Sequence, residues 1–594
     1  MMSKGIIYHR FRAILHLWAI QCMLPISITF VALQLLRRIY LSMCSPTSSL
    51  VENSEENGEN DTDTLKKNFT VVLTGGKMSK TLHLVRCIRS YASSDPSLRV
   101  KIVVLETKKF RYSATRYSRC VDVFQVITTP RESPDAYMDD IYDVCKEHDA
   151  THFLPVAAPV EAVFDAELKC RLETELGVQV LHMDKELCSI LDDKHSFGCF
   201  LREKLKIRSL RTHKVVSNEE VRKYNAIFLQ EKKDNTLKRN MILKNLSYDP
   251  IHRLDLFQLP TGEERIDAYL QNIVLDGNPI TKDEPWQLQE FLANGIEYSA
   301  MIVVRSNHLV TMTCCPSSAS QLNYVHVEVP SIREWIENFM DGLAISEYTL
   351  TGQLCFDFMV LTEGDEKVAY PIECNPRVHT QCTIYNSDDV RTAFGSLLLN
   401  STPQMEKGMV RMLDRDYNNN HKSNSSQGII NVYWFYNEFF KIIPDSWLFT
   451  YNESNDAERR SKLAMQKFPT ISNQLIIVAI IYAPAMALSF LMCLPIWLLL
   501  YVPGNAVRSK SVVTKDLSDS EHLRAMIVKL ILFLDRLAHM EENIEGDFWT
   551  YDLLPFIAKN HVQVASRLLA TIRTGVEWKK VDFAIGKVVE VGGD

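Results

Sequence analysis

Two stretches joined by one turn decide how this chain reads: Gly352-Gln-Leu-Cys-Phe-Asp357-Phe-Met-Val-Leu and Val368-Ala-Tyr-Pro-Ile-Glu373-Cys-Asn375-Pro-Arg377. Both are strand-like, and Glu363-Gly364-Asp365 between them predicts a hairpin. Side chains alternate along a strand, so Glu373 and Asn375 share a face, and antiparallel pairing brings Asp357 to the same place. Cys374 then points the other way, into a core. Asp357 sits between Phe356 and Phe358, where a carboxylate is costly unless it is solvated or satisfied by a metal. Two carboxylates and an amide oxygen form a hard, oxygen-only set that suits Mg²⁺ bridging the phosphates of a nucleotide. Asp357, Glu373 and Asn375 are therefore the expected metal ligands. The Arg377 guanidinium beside them is placed to hold a transferring phosphoryl group or an anionic substrate.

Upstream, Phe69-Thr-Val-Val-Leu-Thr-Gly-Gly-Lys reads as a buried strand closed by a glycine turn, followed by a helix over Leu82 to Tyr91. Val100-Lys-Ile-Val-Val-Leu-Glu and His152-Phe-Leu-Pro-Val are the next strands. Strands alternating with helices predict a parallel α/β sheet. Thr74-Gly75-Gly76-Lys77 has neither dinucleotide nor Walker spacing, so it reads as a tight strand-to-helix turn.

Composition narrows the function classes. The 594 residues make about three or four domains, and 46% hydrophobic with 23% charged residues is ordinary globular material. The 66 basic and 73 acidic residues leave a net charge of −7, so no basic field exists to hold nucleic acid. The 14 cysteines show no C-x-x-C pair and no dense framework, which predicts reduced thiols facing a cytosol-like compartment. The N-x-S/T triplets at Asn60, Asn68, Asn245, Asn400, Asn424 and Asn452 read as chance occurrences.

The Asp357…Glu373-Cys-Asn375-Pro-Arg377 pair resembles the signature of the ATP-grasp superfamily, whose C-terminal lobe carries an Asp on one strand and an E-x-N-P-R-like run on the next. The resemblance covers roughly Lys185 to Asn386, with an α/β stretch ahead of it that is similar to the family's usual preceding domain. It implies an α/β and α+β architecture, an ATP-grasp fold preceded by a parallel α/β domain, with ATP and Mg²⁺ as cofactors. Ile242-Leu-Lys244-Asn resembles the strand whose lysine contacts the nucleotide phosphates. Gln289-Glu290-Phe-Leu-Ala-Asn-Gly-Ile-Glu297-Tyr-Ser is similar to the interlobe segment, in which the Glu290 region meets adenine and Glu297 the ribose hydroxyls. Asp192-Asp193-Lys194-His-Ser-Phe resembles the helix start that opens the grasp domain. Lys244 and Arg377 would then offset charge during phosphoryl transfer, and no covalent nucleophile is required. One stretch departs from the family: Asn245-Leu-Ser247-Tyr-Asp-Pro-Ile-His-Arg253 stands where a Gly-rich loop is usual, leaving Ser247 and Arg253 to close the site.

Within the superfamily, Cys374-Asn-Pro-Arg-Val-His379-Thr and Trp578-Lys-Lys-Val-Asp-Phe-Ala-Ile-Gly-Lys-Val-Val-Glu590 resemble mycosporine-glycine synthetase. This implies 4-deoxygadusol as the acid and glycine as the amine, and a tail that belongs to the catalytic unit. Another carboxylate-amine ligase joining amino acids or peptides is the alternative enzyme. A catalytically weak, membrane-anchored nucleotide-binding scaffold is the non-enzymatic one.

Ala13 to Leu36 is an uncharged apolar run between Arg10, Arg12 and Arg37, Arg38, which predicts an N-terminal membrane anchor over residues 1–40. A flexible linker is expected over 41–67, the α/β domain over 68–184 and the ATP-grasp domain over 185–413. A second linker over 414–428 would precede a C-terminal region, 429–594, that contains the apolar segment 475–502, interrupted by Pro484 and Pro495. Two interrupted runs are too few for a transporter. Since ATP is cytosolic, the expected placement is at a membrane, with the lipid bilayer and small acid and amine substrates as partners and the catalytic domain facing the cytosol.

Overall fold

The computed structural model describes residues 4–44, 67–156, 161–246, 256–275, 277–317, 323–399, 431–434, 436–437 and 543–590. The loop residues Ser247 and Arg253, both linkers beyond residue 44, and the apolar segment 475–502 lie outside them.

The chain opens with helices α1 (Lys4–Cys22) and α2 (Leu24–Cys44). The first domain follows with β1 (Lys67–Leu73), α3 (Ser79–Ser94), β2 (Leu98–Thr107), β3 (Val123–Ile127), α4 (Pro134–Glu147), β4 (His152–Leu154), α5 (Ala162–Leu176) and β5 (Gln179–Val180). Its five strands are all parallel, in the order β3-β2-β1-β4-β5. Ile102 to Leu105 are wholly buried, which is why β2 reads as a continuous apolar run rather than an alternating one. Ser133 caps α4 by accepting from the Ala136 N–H at 3.3 Å, and Pro134 pre-forms its first turn. Gly75 turns β1 towards α3 at φ +71°, where a Cβ would lie 2.3 Å from the Val156 carbonyl oxygen.

Helices α6 (Lys185–Asp192) and α7 (Lys194–Cys199) lead into β6 (Thr212–Val215), α8 (Asn218–Lys233), β7 (Met241–Asn245), β8 (Phe257–Leu259), α9 (Glu263–Leu275) and β9 (Trp286–Glu290). These strands form an antiparallel sheet in the order β6-β9-β7-β8, packed on α8 and α9 through Trp286, Phe228 and Ile266. A second antiparallel sheet, β11-β10-β13-β14, is built from β10 (Ile296–Arg305), β11 (His308–Pro316), β13 (Gly352–Glu363) and β14 (Glu366–Asn375). Between them in sequence lie the short β12 (Asn323–Tyr324) and α10 (Pro330–Ala344), and α11 (Asp388–Leu399) follows. Both faces of this second sheet are covered. Ala300, Ile302, Leu354, Phe356, Phe358 and Cys374 pack towards α6, α7 and α10, whereas Met301, Val303 and Cys355 pack towards α11 and towards α3 of the first domain. Cys374 is thus a core residue, as strand alternation requires.

The C-terminal unit comprises β15 (Asn431–Tyr433), β16 (Asn543–Glu545), α12 (Leu554–Ala558), α13 (Ala565–Thr574), β17 (Trp578–Asp582) and β18 (Lys587–Glu590). It is not a free-standing region. Arg86 of α3 meets Asp552 at 3.1 Å with both side chains buried, and the Ser79 N–H donates to the Ala584 carbonyl at 2.9 Å.

The N-terminal helices are also part of the folded body. The helical run is long and apolar enough to cross a membrane over Ile6–Ile39; it breaks at Met23 and extends to Cys44, over the first four residues of the expected linker. It is also not a separate anchor domain. Arg12 donates to the Trp578 carbonyl at 2.8 Å with its guanidinium carbon 3.9 Å from that ring's centre, and Phe30 meets Phe548 at 5.1 Å. The physical reason is that α1 and α2 carry the partners that complete the core of the C-terminal unit. Twelve cysteines among the described residues, from Cys22 to Cys382, are free thiols.

Candidate functional site

The β13–β14 hairpin forms as its sequence predicts, and Asp357 pairs directly with Glu373. A register shift between Asp357 and Phe358 sets Pro371 opposite Phe358, so the missing proline N–H is accommodated at a bulge. On the other side Asp357 pairs with Ser299 of β10, whose hydroxyl donates to Oδ1 at 2.5 Å. Glu297 is two residues before Ser299, so it shares this face at the end of the sheet. Asn375 also lies here: its Nδ2 donates to Asp357 Oδ2 at 3.3 Å and its Oδ1 accepts from Arg377 at 2.5 Å. The three expected ligands are therefore together.

Cations enter from both flanks. Lys194, the first residue of α7, reaches Glu373 Oε2 at 3.1 Å. Asp193 caps that helix through the Ser196 N–H at 2.7 Å and so fixes where Lys194 starts. Lys244 projects from β7 of the neighbouring sheet and donates to Gln289 at 3.1 Å, while Gln289 donates to the Ile372 carbonyl at 3.2 Å and ties the two sheets together. Burial draws the Lys244 ammonium down to about 8, against the pull of Glu373. Burial alone would raise Glu373, but Lys194 and Lys244 overrule it and hold the carboxyl at about 2. Asp357 goes the other way, well above the usual carboxylate range, first from burial and then from the charge of Glu373.

This arrangement fits a divalent cation. Asp357 is a buried acid whose ionisation is opposed by the charge of its cross-strand partner, and a cation held by the two carboxylates would supply what Ser299 and Asn375 do not. Among the described residues no group of three His, Cys, Asp or Glu side chains could hold an ion by itself. A set of two carboxylates and an amide suits Mg²⁺, which keeps waters and phosphate oxygens among its ligands.

The remaining expected residues are more engaged than the sequence suggested. The Glu290 carboxylate accepts from the Arg211 N–H at 3.0 Å and lies 3.9 Å from Arg239, so its side chain braces β6 against β9. Glu297 accepts from the Ser317 hydroxyl at 2.8 Å. Arg377 lies 3.5 Å from Asp192 at the end of α6. Beside it, Lys80 of α3 donates to the Val378 carbonyl at 2.7 Å, and burial lowers its ammonium to about 7, with Arg377 adding to the effect. Lys194, Ser299 and Lys80 were not among the site residues expected. The Asp-Asp-Lys helix start was a usable signal for Lys194; Ser299 and Lys80 carried none.

The C-terminal unit reaches the same place. Lys559 donates to the Lys77 carbonyl at 2.6 Å, Gln563 donates to it at 2.8 Å, and the Trp434 indole donates to the Ser79 hydroxyl at 3.1 Å. The turn and helix start that carry Lys80 are thus held from behind by residues 355 to 486 positions away.

No protein-family model matches the chain, and no curated protein matches it. Among solved structures, it is similar to an L-amino acid ligase from Bacillus licheniformis, at 10% identity, covering 58% of this chain and 78% of that one, with a TM-score of 0.39. It is also similar to N5-carboxyaminoimidazole synthetase from Staphylococcus aureus complexed with ADP, at 14% identity over 57% of this chain and 80% of that one, with a TM-score of 0.38. Phosphoribosylglycinamide synthetase from Anaerococcus prevotii gives 14% identity over 58% and 78%, with a TM-score of 0.39. At such scores the likenesses carry no argument about activity, which has to come from the site.

Proposed function

We propose that this chain is an ATP-dependent ligase of the ATP-grasp kind, joining an acid to an amine. The observation that carries the reading is the Asp357–Glu373 pair on the larger antiparallel sheet, faced by Lys194 and by Lys244 from the other sheet. Opposed acids and lysines at the mouth of two sheets suit a metal-bound polyphosphate, since phosphoryl transfer depends on positioning and charge neutralisation. Asp357, Glu373 and Asn375 would hold Mg²⁺, which when bound supplies charge neutralisation to the β- and γ-phosphates.

Lys194 and Lys244 would bind the phosphate oxygens, exchanging their contacts with Glu373 and Gln289 for anionic ones. The acid substrate would sit between this face and the first domain, its anionic group near Arg377 and Lys80. Its oxygen forms a bond to the γ-phosphorus as the bond to the bridging oxygen of ADP breaks. The amine nitrogen then bonds to the activated carbon as the carbon–oxygen bond to phosphate breaks, and the proton on nitrogen passes to solvent or phosphate. The finer reading takes a vinylogous acid, 4-deoxygadusol, with glycine as the amine; it rests on the short resemblance around Cys374 to Thr380 and Trp578 to Glu590. An amino-acid or peptide carboxylate is the alternative acid.

The test is Mg-dependent ADP release by the full chain in mild detergent, screened over acid and amine pairs, with Glu373→Gln as the blank. ADP and phosphate appearing only with a particular pair, and not in the variant, support the ligase and identify its substrates. Glu373-dependent nucleotide binding without turnover over the panel supports the scaffold reading instead. No nucleotide binding overturns both.

A further inference from the structure

Helices α1 and α2 are apolar on both faces, and their one buried charge, Arg12, points inward. Residues whose side chains turn into the protein include Arg12, His16 and Ser27 together with Ala13, Ile20 and Phe30. Ser27 shares a 2.6 Å hydrogen bond with the Tyr436 hydroxyl, and His16 packs edge-on against Trp578 at 4.9 Å. The outward stripe is apolar too. Ile7, Phe11, Ile14 and Trp18 recur at helical spacing along α1 and are 45% to 56% exposed, and Ile28, Leu36 and Ile39 continue the stripe along α2 at 56% to 60%. No Asp, Glu, Lys or Arg occurs between Arg12 and Arg37. In water a surface helix turns its charge outward and its apolar side chains inward, so this pattern is wrong for water and right for hydrocarbon.

We infer that the outer stripe of α1 and α2 lies in the plane of a lipid bilayer while the inner face stays docked on the C-terminal unit. The helices are a membrane-facing surface of the folded protein, not a span that leaves it. A crossing helix surrounded by lipid would have to expose Arg12, whereas here that charge is held by the Trp578 carbonyl and ring. Continuity adds to the case. The described chain stops at Asn437 and resumes at Asn543, next to Tyr436 and Phe548, the residues that touch Ser27 and Phe30. The intervening sequence contains the apolar run Leu475 to Val502. Arg37 and Arg38, at the end of the stripe, lie where lipid phosphates would be. This inference does not depend on the ligase reading.

The test is quenching of Trp18 emission by lipid bromine. The full chain and its Trp18→Phe variant are reconstituted into vesicles of phosphatidylcholine and phosphatidylglycerol, with and without dibrominated acyl chains. The emission that the wild type has over Trp18→Phe is expected to fall by more than half in brominated vesicles. Ile28→Trp in the Trp18→Phe background is expected to restore a quenchable component from α2. Emission from Trp18 that bromine leaves unchanged overturns the inference, whether the chain then floats through another segment, pairs with a second copy over the stripe, or covers it with Leu475 to Val502.

Discussion

The Lys559 side chain donates a 2.6 Å hydrogen bond to the carbonyl of Lys77, a residue 482 positions earlier. It also reaches the Ala584 carbonyl at 3.3 Å and is 1% exposed. One buried ammonium thereby joins the C-terminal unit to the turn between β1 and α3, three residues before Lys80. A docked tail is thus part of the wall behind the proposed acid site.

Replacing Lys559 with Met therefore has two separable effects. Loss of a charged donor to buried carbonyls costs about 1.5–3 kcal/mol, read as a lower midpoint in urea. If the turn positions the acid, the KM for the acid rises several-fold while nucleotide affinity is unchanged. A purely structural role lowers the midpoint and leaves the KM alone.

The acids and lysines of the site separate in the same way. Glu373→Gln removes a ligand and the partner of Lys194, and should lower kcat/KM by about a hundredfold or more, which corresponds to roughly 3 kcal/mol. Lys194→Ala should weaken Mg-nucleotide binding by about tenfold, the value of one charge-assisted contact. Steady-state ADP release measures the first and isothermal titration with MgADP the second, and equal affinity in all three proteins would rule out this nucleotide site.

The Arg86–Asp552 pair is 3.1 Å apart with side chains only 3% and 2% exposed. Ser118 and the Arg119 N–H also donate to Asp552, at 2.7 and 3.0 Å. Removing one partner leaves a buried charge. Asp552→Leu or Arg86→Met alone should destabilise by about 3–5 kcal/mol, and the double substitution Arg86→Met with Asp552→Leu by less than the sum. Denaturant unfolding of the three variants measures the coupling; additive losses would show that the pair is not coupled.

Acid should cost stability through His182, whose Nε2 donates to the Ala162 carbonyl at 2.8 Å and whose pKa burial lowers to about 4. Between pH 6.5 and 4 the unfolded chain takes a proton that the folded ring refuses. Unfolding free energy therefore falls as pH drops, by up to about 1.4 kcal/mol per pH unit, and is flat above 6.5. Asp165 and Glu106, raised by burial, tilt the other way, because the fold keeps protons that the unfolded chain releases. The measurement is thus the difference between wild type and His182→Asn at each pH. A difference that does not change from pH 7 to 4.5 would show that the ring titrates normally in the fold.

What the sequence determined by itself was local. The hairpin, the shared face of Asp357, Glu373 and Asn375, the core position of Cys374 and the glycine turn after β1 all follow from period-two alternation and turn chemistry, which act over a few residues. The parallel order of the first domain followed from alternating strands and helices. Tertiary structure decided everything that required distant chain to meet. Lys194 stands beside Glu373 because α7 packs against β14, and Lys559 supports Lys77 because the tail folds back across the first domain. The run Ala13 to Leu36 looked the same from every side in sequence. Only packing gave it an inside, because Trp578, Tyr436 and Phe548 chose which of its faces to cover and left the apolar stripe outward.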